Sequence, residues 1–102
     1  MPLESRISKS IMTAIQNTYP ACVVRKRHVS MGTTGDPDIY GILPGGHHFE
    51  IEVKQRGKRP TELQLRRLAE WARAGAITGV AHDAIEALEI LFAGEKNKEQ
   101  HV

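Results

Sequence analysis

The sequence predicts an α/β (α+β) fold in which a mixed central β-sheet is flanked by helices, in the order α-β-β-β-α-β-α. Apolar residues recur at helical spacing in three stretches, short alternating segments lie between them, and Gly or Pro turn signals separate the segments. A hairpin pairs strands antiparallel, whereas a later strand, helix, strand passage favours parallel pairing. Together they predict a mixed sheet.

The first helix and the first strand precede a Gly-rich loop. Apolar residues recur every three or four positions over residues 3 to 18, which predicts an amphipathic helix that ends before Pro20. Residues 21 to 28 mix small, β-branched and basic side chains and predict a strand with one solvated face. The loop that follows contains Gly32 and Gly35.

The next two strands are predicted to form a hairpin. Residues 39 to 43 are a short apolar segment, and Pro44-Gly45-Gly46 after it is a strong turn signal. Residues 47 to 54 then alternate in polarity, as a strand does. One face carries Phe49, Ile51 and Val53, and the other carries Glu50, Glu52 and Lys54.

Two helices and one buried strand complete the predicted order. Thr61 begins a second helix, with Gln64 at capping-box spacing, and the apolar pattern continues to Gly75. Residues 76 to 81 predict a buried strand, and Asp83 starts a last helix. We expect a single domain over residues 1 to 94, followed by a polar tail over residues 95 to 102.

Composition excludes several classes of protein. With 102 residues, 40% of them hydrophobic and 25% charged, the chain is typical of one globular domain. No apolar run approaches the ~20 residues that span a bilayer, so we expect no membrane partner. Cys22 is the only cysteine, which excludes an internal disulfide and fits a reducing cytoplasm. Five histidines without paired ligand spacing predict no zinc site.

The predicted hairpin brings acidic side chains together at one end. Asp38 begins the first of its strands, and Glu52 lies near the end of the second. Because a turn near Gly45 folds these two ends together, their carboxylates should be neighbours. Strand alternation places Lys54 on the face of Glu52, while Val53 points into the core with its backbone carbonyl free.

These groups match the needs of phosphodiester hydrolysis. The reaction requires a nucleophilic water near neutral pH and a positive centre for the charge that builds on the phosphate oxygens. Mg²⁺ or Mn²⁺ meets both needs and prefers carboxylate and carbonyl oxygens. Asp38, Glu52 and the Val53 carbonyl are therefore candidate metal ligands, and Lys54 can reach the attacking water or the phosphate.

Basic residues follow the candidate catalytic strand. Such a cluster is usually solvated surface, but beside a phosphodiester site it is well placed to bind the DNA backbone. Residues 25 to 27 extend the predicted patch. The candidate DNA-binding residues are Arg56, Lys58, Arg59, Arg66 and Arg67.

Three motifs resemble the VRR-NUC family of the PD-(D/E)XK nucleases, over roughly residues 32 to 92. They are Gly35-Asp36-Pro37-Asp38-Ile39-Tyr40, Ile51-Glu52-Val53-Lys54, and Thr61 with Gln64. The resemblance implies a restriction-endonuclease-like core in which Asp38 and Glu52 bind the divalent metal and Lys54 assists catalysis. It also implies that Gln64 lies beside the site as a further catalytic residue.

The resemblance further implies a substrate and an assembly. Stand-alone chains of this length look like viral or prophage enzymes that act as homodimers on branched DNA such as Holliday junctions. The expected activity is thus that of a metal-dependent, structure-selective DNA endonuclease without a small-molecule cofactor, in the cytoplasm of a bacterial or phage-infected cell. Some related nucleases also bind metal through an acidic residue on the first helix, and Glu4 is the candidate here.

Alternatives remain open from the residues alone. One alternative function is that of a duplex-cutting or nicking nuclease of a defence, restriction or repair type. Another is that of a catalytically inactive DNA-binding module. Glu52 and Lys54 also fit a solvated strand face with a surface ion pair. Gln64 also fits a helix cap, and Trp71 is expected in the core or an interface rather than as a platform for a base.

Overall fold

The computed structural model describes residues 1–28 and 33–100, which form three helices and four strands. The predicted order α-β-β-β-α-β-α is confirmed. Gly32 of the predicted loop, together with His101 and Val102 of the predicted tail, lies outside the described residues. The elements are α1 (Leu3–Thr18), β1 (Val23–Lys26), β2 (Ile39–Ile42), β3 (His48–Val53), α2 (Glu62–Arg73), β4 (Ile77–Ala81) and α3 (Ala84–Gln100).

The four strands form one mixed sheet in the order β1-β2-β3-β4. The β1/β2 and β2/β3 pairs are antiparallel, and β3 runs parallel to β4. The predicted hairpin is therefore present, and α2 is the crossover between the two parallel strands. Gly41 stands in the middle of β2, where an added Cβ would lie 1.9 Å from the Val23 carbonyl oxygen. Close approach of the backbones thus requires glycine at this position.

Both faces of β3 are buried. Phe49, Ile51 and Val53 join the apolar core, to which α1 contributes Ile11 and α3 contributes Leu91. Strand alternation turns the other side chains of β3 towards α2. This second face was the polar one in the predicted pattern, and a solvated strand face was one interpretation of it. That interpretation is wrong, because a crossover helix covers the face.

Helical periodicity predicts the buried faces of α2 and α3 only in part. In α2, Leu65 and Leu68 both follow the apolar pattern, but Leu65 is 50% exposed whereas Leu68 is buried. In α3, Ile85 and Leu91 both follow the pattern, but Ile85 is 70% exposed whereas Leu91 is fully buried. Periodicity thus indicates an apolar stripe on each helix but not which of its members are buried.

The last helix is longer than predicted. It continues to Gln100, six residues beyond the predicted end of the domain at residue 94. Two contacts hold this extension: the Tyr19 hydroxyl donates to Glu95 over 2.9 Å, and Lys98 donates to the Gly75 carbonyl. The division of the chain into a domain and a tail stays a prediction. In the described part of the chain, no helix has the length and apolarity needed to cross a membrane.

Candidate active site

The hairpin places Asp38 beside Glu52. Ile39 pairs with Ile51 at the end of the β2/β3 ladder, so Asp38, one residue before β2, lies opposite Glu52. The Val53 N–H donates to Asp38 Oδ2 over 2.8 Å, which fixes the Asp38 carboxylate next to the end of β3. The structure therefore brings together the two carboxylates that the sequence singled out, although Asp38 precedes its strand rather than beginning it.

Glu52 is buried without a full set of partners. Glu52 is only 2% exposed, and its Oε1 is the one buried side-chain polar atom in the described residues that has no hydrogen-bond partner. The pKa of Glu52 is raised to about 9, first by burial and then by Asp38, through its charge and through a hydrogen bond that only protonated Glu52 can donate. The nearby charge of Lys54 partly opposes this rise.

Glu50, two residues earlier on the same face, is equally buried but fully paired. It is 0% exposed, and its carboxylate accepts from Arg27 Nη1 over 2.7 Å and from Arg27 Nη2 over 3.1 Å. His48 Nε2 lies 2.6 Å from the same carboxylate. The fold can thus satisfy a buried glutamate on this strand, and it does not do so for Glu52. A buried carboxyl oxygen without a partner is costly and points to a functional site.

Lys54 and Glu4 lie close enough to Glu52 to act on its charge. Lys54 follows β3 and is half-buried, and its positive charge lowers the Glu52 pKa, whereas the charge of Glu4 on α1 raises it. Within residues 1–28 and 33–100, however, no group of three His, Cys, Asp or Glu side chains is arranged to hold a metal ion. Glu4 therefore adds negative charge near the pair without completing a three-carboxylate cluster.

Gln64 serves as a helix cap. Its side-chain carbonyl accepts from the Thr61 N–H over 2.9 Å, and its own N–H donates to the Thr61 hydroxyl over 3.1 Å. The predicted capping box at the start of α2 is confirmed. The side-chain carbonyl is thus engaged, so a catalytic role for Gln64, which stays a prediction, has to use its amide NH₂ group.

The candidate DNA-binding residues differ in how they are engaged. Arg56 is paired with Asp83 and, over 3.6 Å, with Glu86. Arg67 donates to Glu70 over 2.6 Å and to the Thr34 carbonyl over 3.1 Å. The other three, Lys58, Arg59 and Arg66, are exposed and make no ion pair with the described residues.

Two solved structures resemble the chain over most of its length. One is a VRR_NUC domain that superimposes with a TM-score of 0.67 and is 26% identical, over 89% of this chain and 96% of its own. The chain has the VRR-NUC fold. A second structure, a VRR_NUC domain protein, superimposes with a TM-score of 0.70 at 18% identity, over 94% of this chain and 90% of its own. The resemblance predicted from the three motifs is thus confirmed. No protein-family model and no curated protein sequence matches the chain.

Two of the three predicted motifs meet at one end of the hairpin. Asp38, Glu52 and Lys54 come from two adjacent strand ends, and Gln64 lies in the first turn of α2, the helix that crosses over the same face of the sheet. Their donor set fits a hard divalent cation, because a buried carboxyl oxygen lacks a partner beside a second carboxylate. The VRR_NUC neighbours support a nuclease of that family.

Sequence reasoning missed one part of this region. Arg27 was assigned to the basic patch, but its guanidinium turns into the fold and binds Glu50. Trp71, expected in the core or an interface, stacks on His48 with ring centroids 5.2 Å apart and donates to Asp36 over 3.2 Å. The alternation that put Glu50 on the face of Glu52 was the available signal, but the partner of Glu50 lies two strands away and follows no local pattern.

Proposed function

We propose that this VRR-NUC domain is a divalent-metal-dependent endodeoxyribonuclease that hydrolyses phosphodiester bonds in branched DNA such as Holliday junctions. The observation that carries the proposal is the buried Glu52 carboxyl, which has an unpartnered oxygen beside Asp38 although Glu50 on the same strand is fully paired. A cation between the two carboxyl groups would remove the cost of this arrangement.

Asp38 and Glu52 would hold Mg²⁺ or Mn²⁺, together with the backbone carbonyl of Val53. When bound, such a cation lowers the pKa of a coordinated water and neutralises charge on the phosphate oxygens. Glu4 strengthens the attraction for a cation through its negative charge, which already acts on Glu52. The two carboxyl groups lie at the ends of paired strands, so the sheet fixes their separation before any ligand binds.

Lys54 is the cationic group of the site. Its charge reaches Glu52, and strand alternation keeps it on the same side of the sheet. From there its ammonium group would bind a non-bridging phosphate oxygen or orient the attacking water. Gln64 would assist through its amide NH₂ group, because its carbonyl caps α2.

DNA would bind along the segment that leaves β3 and along the start of α2. Lys58 and Arg59 lie on that segment, and Arg66 lies on α2, all exposed and available to phosphates. Arg56 and Arg67 would contribute only after their carboxylate partners are displaced. These side chains contact the sugar-phosphate backbone rather than base edges, which suits selection of a DNA shape over a DNA sequence.

A homodimer is the assembly that fits symmetric cutting of a junction. One copy of this small domain carries one candidate site, and two strands of a four-way junction must be cut. Two copies related by a twofold axis would place one site on each strand. A monomer, with its single site, would instead cut linear duplex or nick one strand.

The test compares a labelled four-way junction with a matched linear duplex, in Mg²⁺ or Mn²⁺ and in EDTA. We expect paired nicks on the junction that require the metal and disappear in Glu52→Gln. Glu89→Gln removes an exposed carboxylate from α3 and serves as the matched control, with cleavage like wild type.

Other results would change the proposal in distinct ways. Equal cleavage of both substrates would keep the nuclease and remove the junction selectivity. Metal-dependent cleavage that survives Glu52→Gln would place the site elsewhere. Binding of the junction without cleavage in either metal would support a DNA-binding module.

A further inference from the structure

Arg27 contacts both peptide groups that flank the Cα atom of Asp38. Its guanidinium Nη1 donates to the Pro37 carbonyl over 2.6 Å, and its backbone N–H donates to the Asp38 carbonyl over 2.7 Å. We infer that Arg27, locked by Glu50, is a positioning residue that sets the Asp38 carboxylate for cation binding, an inference that rests on the proposed function.

The Arg27 guanidinium is itself held in one orientation. Two of its nitrogens bind the two oxygens of the fully buried Glu50, and His48 also contacts that carboxylate. The guanidinium also lies over the Tyr40 ring, with its central carbon 4.4 Å from the ring centroid. A planar, forked group with several fixed donors can bridge a carboxylate and a carbonyl at once, which a lysine ammonium cannot do with the same geometry.

A second element holds the same segment from α2. The Trp71 indole N–H donates to Asp36 Oδ1 over 3.2 Å, and the Trp71 ring stacks on His48. Asp36 and Asp38 are thus restrained on either side of Pro37, the one by α2 and the other by Arg27. Restraint of the backbone on both sides of Pro37 would keep the Asp38 carboxylate in place when no cation is bound.

A direct role for Arg27 in DNA binding is less consistent with these contacts. Its side chain is 17% exposed, and its donors point to Glu50 and Pro37 rather than to solvent. The exposed Lys58 and Arg59 lack such partners among the described residues. The basic patch predicted over residues 25 to 27 therefore does not include Arg27.

The test uses two variants of this pair and one control. Arg27→Met combined with Glu50→Met removes both buried charges together, so neither is left unpaired. Arg27→Lys keeps a positive charge near Glu50 and loses the fork that reaches Pro37. Arg73→Met removes an exposed arginine from the end of α2 and is the matched control.

Two readouts report the position of Asp38 without relying on activity. The Val53 N–H donates to Asp38 Oδ2, so its ¹H–¹⁵N amide resonance in the metal-free protein reports that carboxylate. Calorimetric titration with Mn²⁺ reports cation affinity. We expect both Arg27 variants to shift the Val53 resonance and to weaken Mn²⁺ binding by about 10- to 100-fold, while Arg73→Met changes neither.

The outcomes separate this inference from the proposed function. If wild type binds Mn²⁺ and Glu52→Gln does not, while both Arg27 variants bind it as wild type does, Arg27 is only structural and the inference is overturned. If wild type itself binds no Mn²⁺, the result contradicts the metal site of the proposed function, and with it the role of Arg27 in cation binding. If the double variant does not fold, Arg27→Lys decides, because an unmoved Val53 resonance and unchanged affinity in that variant contradict the inference.

Discussion

The Glu52→Gln substitution should stabilise the metal-free protein at neutral pH. Burial and the neighbouring Asp38 raise the pKa of Glu52 from 4.5 to about 9 in the folded state. Between these values the unfolded chain releases a proton that the folded protein keeps, so the free energy of unfolding falls as the pH rises. Each pH unit in this window is worth about 1.36 kcal/mol. From about pH 5 to about pH 7 the loss is therefore on the order of 3 kcal/mol.

Thermal unfolding in EDTA measures this loss. Glutamine does not ionise, so the Glu52→Gln variant lacks the pH dependence that Glu52 contributes. About 1 kcal/mol corresponds to about 4–8 °C in a domain of this size. The variant should melt about 10 °C or more above wild type at about pH 7, and the difference should narrow as the pH falls towards the ordinary pKa of a glutamate. Saturating Mn²⁺ should raise the melting temperature of wild type only.

Glu50→Gln is the control, because it makes the same change on the same face of the same strand. The Glu50 carboxylate is paired with Arg27, and removal of one partner from a buried ion pair costs about 3–5 kcal/mol. This variant should melt below wild type throughout the pH range. The reasoning would be refuted if Glu52→Gln also melted below wild type in EDTA at neutral pH, or if Mn²⁺ stabilised wild type and Glu52→Gln equally.

Three further predictions concern catalysis, packing and DNA binding. Lys54→Met should lower cleavage by about 100-fold or more with an unchanged circular dichroism spectrum, and near-normal activity would remove Lys54 from the mechanism. Gly41→Ala should lower the free energy of unfolding in urea by about 3 kcal/mol or more, because its methyl group would meet the Val23 carbonyl; a change within about 0.5 kcal/mol, as at an ordinary surface site, would contradict that contact. Lys58→Ala with Arg59→Ala should reduce the slope of log affinity for DNA against log salt by about 1.8, and an unchanged slope would show that neither side chain contacts phosphate.

Local sequence signals were sufficient to predict the elements and the position of Asp38 beside Glu52. The hairpin followed from two short strands around Pro44-Gly45-Gly46, and its register alone places Asp38 opposite Glu52. The helix cap at Thr61 could be predicted in the same way, because a capping box involves residues three positions apart. In each case the interacting residues are close in sequence or joined by one turn.

Only the tertiary structure decided which polar side chains are buried and with what partner. Alternation placed Glu50 and Glu52 on one face, but the packing of α2 buries that face. Across the sheet, Arg27 forms an ion pair with Glu50, whereas Glu52 Oε1 has no partner. The sequence by itself determined the order of elements and the meeting of Asp38 with Glu52, since periodicity and turns are local. The charge state of Glu52 and the restraint of Asp38 depend on desolvation and on contacts between distant strands, which arise only when the whole chain is packed.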